Sequence, residues 1–140
     1  MDEGGGRAVA ALIEEATRRS AVVWVELPGR APRPLWHLWH EQSLYTVVAG
    51  LEQPLPDLDL ELAPTAVVIV RSKDRQNDQV VRWAAEVSRV QPGSALWDEV
   101  VPLLHARRLN PPDGAAQPAR WAAWSLVLRL VPTGAVLPPA

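Results

Sequence analysis

PLWHLWHEQSLYTVVA, residues 34–49, is the stretch whose reading decides the fold. Leu35 to Trp39 is an apolar, aromatic-rich run, and Leu44 to Ala49 is a second one rich in β-branched residues. Between them His40, Glu41, Gln42 and Ser43 form a polar connection short enough for a β-hairpin, although it lacks Asn-Gly or Asp-Gly. Side chains alternate along a strand, so Trp36 and Leu38 take one face, and His37 and Trp39 the other. Bulk on both faces predicts a core on one side and a partner, a ligand or a second subunit on the other.

Working outward, residues 1–6 read as a disordered leader. Arg7 to Arg19 reads as a helix with Ala8, Val9, Leu12, Ile13 and Ala16 on one stripe. Ala21 to Leu27 is an almost continuous apolar strand, expected to be buried on both faces. PGRAPRP, residues 28–34, is a proline-punctuated turn into the hairpin. Beyond it, Asp57 to Leu62 alternates acid and leucine, as a short edge strand or extended segment would. Thr65 to Arg71 is a strong strand. Gln79 to Val90 fits both a helical stripe (Val80, Trp83, Ala84, Val87) and a strand face (Val81, Trp83, Ala85, Val87). The short polar loop before it favours a hairpin return, hence a strand. Ser94 is a plausible cap for a helix running to about Arg108, in which Pro102 predicts a kink or two segments. Ala119 to Val131 reads as a long final strand, and 132–140 as a mobile tail. About six strands and two helices predict one mainly β domain over residues 1–140, a six-stranded antiparallel barrel with flanking helices.

Composition narrows the function. Of 140 residues, 48% are hydrophobic and 21% charged, which is ordinary for a globular domain. Net charge is −2, so the concentrated basic surface that nucleic acid requires is not expected. No cysteine is present, which removes disulfides, thiol nucleophiles and cysteine zinc sites. No apolar run approaches the ~20 residues that span a bilayer, and the cytoplasm is the default location. Seven tryptophans with one tyrosine and no phenylalanine supply large anchors suited to cores, interfaces and cofactor walls.

The run Arg33-Pro34-Leu35-Trp36-His37-Leu38-Trp39-His40-Glu41-Gln42-Ser43-Leu44-Tyr45 resembles the second and third strands of the pyridoxamine 5′-phosphate oxidase-like split-barrel family, especially its small actinobacterial-type members. The helix-first order, the strand count and a helix before the last strand agree with it. The resemblance implies a homodimer of split barrels that binds FMN, or in some branches a deazaflavin or heme, at the subunit interface. It places Pro34, Leu35, Trp36 and His37 beside the flavin ring and Arg33 near the phosphate. An oxidoreductase acting on a small molecule would follow, with the redox chemistry carried by the cofactor.

One departure keeps a second reading open. Flavin-binding members usually carry a Ser-Arg-Lys loop after the third strand, to hold the phosphate. Here the sequence is Gly50-Leu51-Glu52-Gln53-Pro54, and an anion site needs donors and positive charge. Arg71, Ser72 and Lys73, at the end of a strong strand, are the candidate substitutes. Without a phosphate site the chain would be a cofactor-free split-barrel dimer serving as a binding or structural module. No metal site is expected, because His37 and His40, three apart on a strand, face opposite sides. Asp57, Asp59 and Glu61 read as a solvated face. No catalytic residue can be assigned.

Overall fold

The computed structural model describes residues 3–62, 64–73, 78–108 and 114–138. Its frame is a seven-stranded antiparallel sheet: β1 (Val22–Glu26), β2 (Arg33–Trp36), β3 (Leu38–His40), β4 (Ser43–Val48), β5 (Thr65–Lys73), β6 (Asp78–Arg89) and β7 (Leu126–Leu137), in the order β2-β1-β5-β6-β7-β4-β3. The two edge strands are consecutive in the chain and separated only by His37. Arg33 to Trp36 pairs with β1, and Leu38 to His40 pairs with β4. A single run of eight residues therefore holds both edges and nearly closes the sheet into a barrel. Its break at His37 accounts for seven strands rather than the six expected. Closure removes the exposed edges that an open sheet of this size would present.

The period of two predicted from sequence sorts the side chains. Val68, Val70, Trp83, Ala85, Val87, Leu128 and Leu130 point into one apolar interior with Val23, Val25, Leu35 and Leu44. Trp39 packs against this cluster and meets Trp83 edge-on, with ring centroids 6.1 Å apart. Trp36 and Leu38 pack on the opposite side, against Tyr45, Val47 and Trp121. The alternation of the 34–39 run holds, and its second face is covered by a second apolar cluster of the same chain. The strand assignment of 79–90 holds too, since its Trp83, Ala85 and Val87 face the interior while β5 pairs along its length.

Three helices flank the barrel. α1 (Glu3–Arg19) starts inside the stretch expected to be a leader, and its Ile13 joins the interior. α2 (Ala95–Arg107) is capped by Ser94, whose Oγ accepts the Trp97 N–H at 3.1 Å. It passes through Pro102 as one element rather than two. α3 (Gln117–Trp124) was not foreseen: the helix occupies the first half of the expected final strand, and β7 starts only at Leu126. Alternation in 122–130 continues across the boundary, so the pattern alone hides it. Residues 132–137, expected to be loose, extend β7 along β6. The Asp57–Leu62 segment is not a strand but turns ending in a 3-10 turn at Leu60–Leu62, with Leu58 and Leu60 packed on the core. β1 buries Val23 and Val25 fully and leaves Trp24 half-buried, so one of its faces is open. Among the described residues no helix is long and apolar enough to cross a membrane.

Candidate functional site

The site lies outside the barrel, where α2 ends. Val100, Val101 and Leu104 seat α2 on Tyr45 and Val47 of β4, and this fixes where its last turn lands. There Arg107 and Arg108 meet Trp36 and Ala21 around a cleft of about 370 Å³. Trp36 is backed by Trp121 of α3, with ring centroids 6.4 Å apart. His105, one turn before, packs edge-on to Trp121 and holds the Gln117 Oε1 with its Nδ1 at 2.9 Å.

The loop after β4, acidic and proline-interrupted in sequence, bonds to two of the residues that line this cleft, Trp36 and Arg108. Ala49 and Gly50 both have positive φ, at 69° and 66°, and the Ala49 N–H donates to the Gln53 carbonyl at 2.9 Å. A side chain at Gly50 would place Cβ 2.6 Å from the Trp124 carbonyl oxygen, so only glycine lets the loop press against the end of α3. The tight turn drives two side chains inward. Gln53 fills the gap between β2 and β4: its Oε1 accepts the Trp36 N–H, and its Nε2 donates to Thr46 Oγ1 at 3.2 Å and to the Val47 carbonyl at 3.1 Å. The Thr46 hydroxyl completes the bridge by donating to the Trp36 carbonyl at 2.8 Å. Glu52 is buried completely, with Arg108 Nε donating to its Oε1 at 3.1 Å and Arg120 Nη2 to its Oε2 at 3.0 Å. A carboxylate withdrawn this far from water must be paired, and here each oxygen has its own guanidinium.

The expected cofactor residues are dispersed. Among the described ones, Trp36 alone lines the cleft. Leu35 and His37 alternate to the opposite face of the run and are buried in the interior, away from the cleft. His37 Nε2 lies 2.7 Å from the Thr17 carbonyl, so it donates there. Burial, helped by the Arg107 charge, holds its pKa below the usual histidine value, and the ring is neutral. Pro34 is exposed on β2, and Arg33 borders a separate small cleft with Arg30, Leu55 and Asp57. Arg71 lies over the Trp24 ring, 5.6 Å from its centroid, on the far side of β1 from Trp36 by sheet order. Ser72 and Lys73 belong to β5, but their side chains lie outside the described residues.

The cations at the cleft are instead Arg107, Arg108 and, through Glu52, Arg120. In sequence the first two are only basic residues at the end of a helix. Nothing in the local pattern says that the end of α2 meets Trp36, some seventy residues earlier. His40, for its part, faces away from His37 and pairs with Glu99, Nε2 to Oε2 at 3.0 Å; Glu41 stands nearby, the three ligand atoms lying within 4.8 Å of one another.

No protein-family model matches the chain, and no curated protein matches it in sequence. Solved structures do match in shape. The heme storage protein HutZ from Vibrio cholerae aligns over 91% of this chain and 92% of its own, at 13% identity and a TM-score of 0.63. An FAD-binding protein from Mesorhizobium loti aligns over 91% of both chains at 16% identity and a TM-score of 0.61. A protein assigned provisionally as a pyridoxamine 5′-phosphate oxidase, from Listeria innocua, aligns over 92% of this chain and 96% of its own at 13% identity and a TM-score of 0.58. The chain shares the fold of these proteins, a nearly closed antiparallel barrel with flanking helices.

Proposed function

We propose that the protein binds FMN or a related flavin in the cleft formed by Trp36, Arg107 and Arg108, and serves as a flavin-dependent oxidoreductase for a small molecule. The observation that carries this reading is the meeting of an indole face with two guanidinium groups. Planar ring systems pack on aromatic faces, and guanidinium groups take phosphate oxygens through two parallel hydrogen bonds. A cleft of about 370 Å³ is within the range of small-ligand sites. The residue chemistry therefore fits a flat ligand with an anionic arm. It suits heme less well, because among the described residues that line the cleft there is no histidine: His37 is buried against Thr17 and His105 packs on Trp121. A bound flavin would supply hydride or electron transfer; the chain's own part is to hold the ring against Trp36, to neutralise the anion and to keep Trp36 fixed through Gln53.

The same reading includes a homodimer. It is supported by an apolar groove of about 660 Å³ beside α3, where Trp124 is 75% and Leu51 69% exposed. Large apolar side chains displayed side by side call for a covering surface. Light scattering is expected to give twice 15.4 kDa, and a monomer mass at micromolar concentration defeats this part.

The second reading, a cofactor-free module, draws support from Glu52, which already pairs with Arg108. Tryptophan quenching on titration with FMN, a deazaflavin and heme separates the two. Micromolar FMN binding that weakens about tenfold or more in Arg107→Ala supports the flavin site. A colourless protein indifferent to all three ligands makes the module the better account.

A further inference from the structure

We propose that His40, Glu41 and Glu99 form a binding site for one divalent transition-metal ion of the zinc class, separate from the Trp36 cleft, which none of them lines. His40 ends β3 and Glu41 begins the hairpin turn, while Glu99 belongs to α2, 59 residues along the chain from His40. An imidazole nitrogen and two carboxylate oxygens, one ligand atom from each residue, lie within 4.8 Å of one another. His40 Nε2 and Glu99 Oε2 are 3.0 Å apart. Two donors each ~2.1 Å from one ion, at an octahedral or tetrahedral angle, stand about 3.0–3.4 Å apart, so this pair is already at ligand spacing. Glu41 is exposed at the turn and has only to swing its carboxylate inward. Alternation along the strand keeps His37 from sharing an ion with His40; the partner of His40 comes instead from a helix packed beside it.

Both carriers of the ligands are held in place. The pairs Trp39↔Leu44 and His40↔Ser43 fix the hairpin, and Leu38, Leu96, Val100 and Val101 join β3 and α2 in one apolar cluster around Tyr45. The His40 ring packs against the Tyr45 ring, with centroids 6.4 Å apart, which leaves only 25% of the His40 side chain exposed. The charge is one-sided. Among the described residues no arginine or lysine forms an ion pair with Glu41 or Glu99, and Arg129 on β7 gives its Nε to Ser43 Oγ at 3.2 Å. The field reaches Tyr45: burial pushes its hydroxyl pKa up, and the charges of Glu99 and Glu41 add to this against the opposing pull of Arg129. A divalent ion between the two carboxylates removes their mutual repulsion. Imidazole favours zinc and its neighbours over magnesium and calcium, which prefer oxygen alone. Three protein ligands leave a further position to water, and the ion would join the hairpin turn to the helix that ends in Arg107 and Arg108.

The test uses the full chain without a histidine tag, stripped with a chelator, then titrated with Zn²⁺ by calorimetry and with Co²⁺ by visible absorption. One ion per chain is expected, with a micromolar Kd for Zn²⁺ and visible ligand-field bands on adding Co²⁺. His40→Gln, Glu41→Gln and Glu99→Gln should each weaken binding at least about tenfold, the cost usual even for an outer partner of a metal ligand. His105→Gln, which removes the other partly exposed imidazole, should keep the wild-type affinity. Zn²⁺ should raise the melting temperature of wild type more than that of any of the three ligand variants. Wild-type affinity in any of those three overturns the site, as does Mg²⁺ bound as tightly as Zn²⁺. No binding at all overturns it too. Uptake of several ions that the ligand variants leave unchanged is adventitious and likewise overturns it. Circular dichroism establishes that each variant is folded. If His40→Gln is not, Glu41→Gln and Glu99→Gln, both at exposed positions, decide by the same criterion. Neither readout involves FMN, so the outcome is independent of the flavin reading.

Discussion

The barrel interior and the flank beneath α2 and α3 are both buried, yet they are made of different material. The interior is aliphatic and tryptophan: Val23, Val68, Trp83, Leu128 and their neighbours, with Trp83 Nε1 satisfied by the Thr17 hydroxyl at 3.1 Å. Its residues come from strands that obey one rule, alternation, and its order is held by backbone ladders. The flank holds Glu52, Gln53, Gln117, His105 and two arginines among its apolar groups. Its order is held by side chains that do locally what a ladder does elsewhere: Gln53 bonds to the backbone of Trp36 on β2 and Val47 on β4 where those strands do not pair. Stability is therefore concentrated in the first region, and the proposed recognition in the second. Such polar networks specify geometry, but every member must be satisfied.

Substitutions should separate the two regions. Trp83→Ala empties the centre of the interior, removing a fully buried indole, its edge contact with Trp39 and its hydrogen bond to Thr17. It is expected to cost about 3–5 kcal/mol in urea unfolding. A loss below about 1 kcal/mol would mean that the flank, not the interior, holds the fold. Gln53→Ala should cost less, about 1–3 kcal/mol, because it leaves the Trp36 N–H and the Val47 carbonyl without their partner. Its distinguishing effect is local. Hydrogen exchange at the Trp36 amide should speed up while the amides of β5 and β6 keep their protection. Uniform acceleration across all strands would erase the distinction between the regions.

The same division explains what the chain discloses in one dimension. Alternation gave the hairpin 34–49, the two faces of the Trp36–Trp39 run and the inward set of Val81, Trp83, Ala85 and Val87, because a period of two is written in consecutive residues. It did not give α3, since Ala122 and Trp124 in a helix and Leu126, Leu128 and Leu130 in a strand present one unbroken alternation of apolar positions. Nor did it give the site. Trp36 was legible through the run it sits in. Its partners Arg107 and Arg108 are ordinary helix-end cations until tertiary packing sets α2 on β4. Glu52 read as an obstacle to anion binding because a buried carboxylate paired with two arginines looks, in sequence, the same as a solvated one. Arg33 is a phosphate candidate by family resemblance and Arg71 by nearness along the chain; the sheet order β2-β1-β5 sets them on strands separated by β1.

His37 connects the two regions, and pH should report on it. Burial holds its pKa below the unfolded value, so the unfolded chain takes up a proton that the folded chain refuses. Its contribution is fully present above the unfolded pKa of about 6.5 and declines as pH falls from there toward the folded value. One proton sets a ceiling of about 1.4 kcal/mol per pH unit on that slope. The unfolding free energy of wild type should therefore fall on acidification below about pH 6.5, more steeply than that of His37→Gln measured in parallel. Parallel curves would show that the buried imidazole does not govern acid stability at the point where the barrel closes.

The smallest expected effect contrasts two turns with the same unusual backbone. Glu41 and Gln42, between β3 and β4, have φ of 45° and 67°, and Ala49 and Gly50, after β4, have 69° and 66°. Positive φ costs a side-chain-bearing residue roughly 1–2 kcal/mol. The first turn is a two-residue hairpin connection, fixed by the pairs His40↔Ser43 and Trp39↔Leu44, and it is open to solvent. Asn and Gly suit both of its positions, so the double change Glu41→Asn and Gln42→Gly should raise stability by about 1 kcal/mol or less, the added freedom of glycine in the unfolded chain taking back part of the gain. In the second turn Gly50→Ala should destabilise, because the new Cβ would lie 2.6 Å from the Trp124 carbonyl oxygen. Thermal melts of the two variants should move in opposite directions. A stabilising Gly50→Ala would show that the loop carrying Glu52 and Gln53 is free to shift, and a loop that shifts cannot hold Trp36 and Arg108 in one cleft.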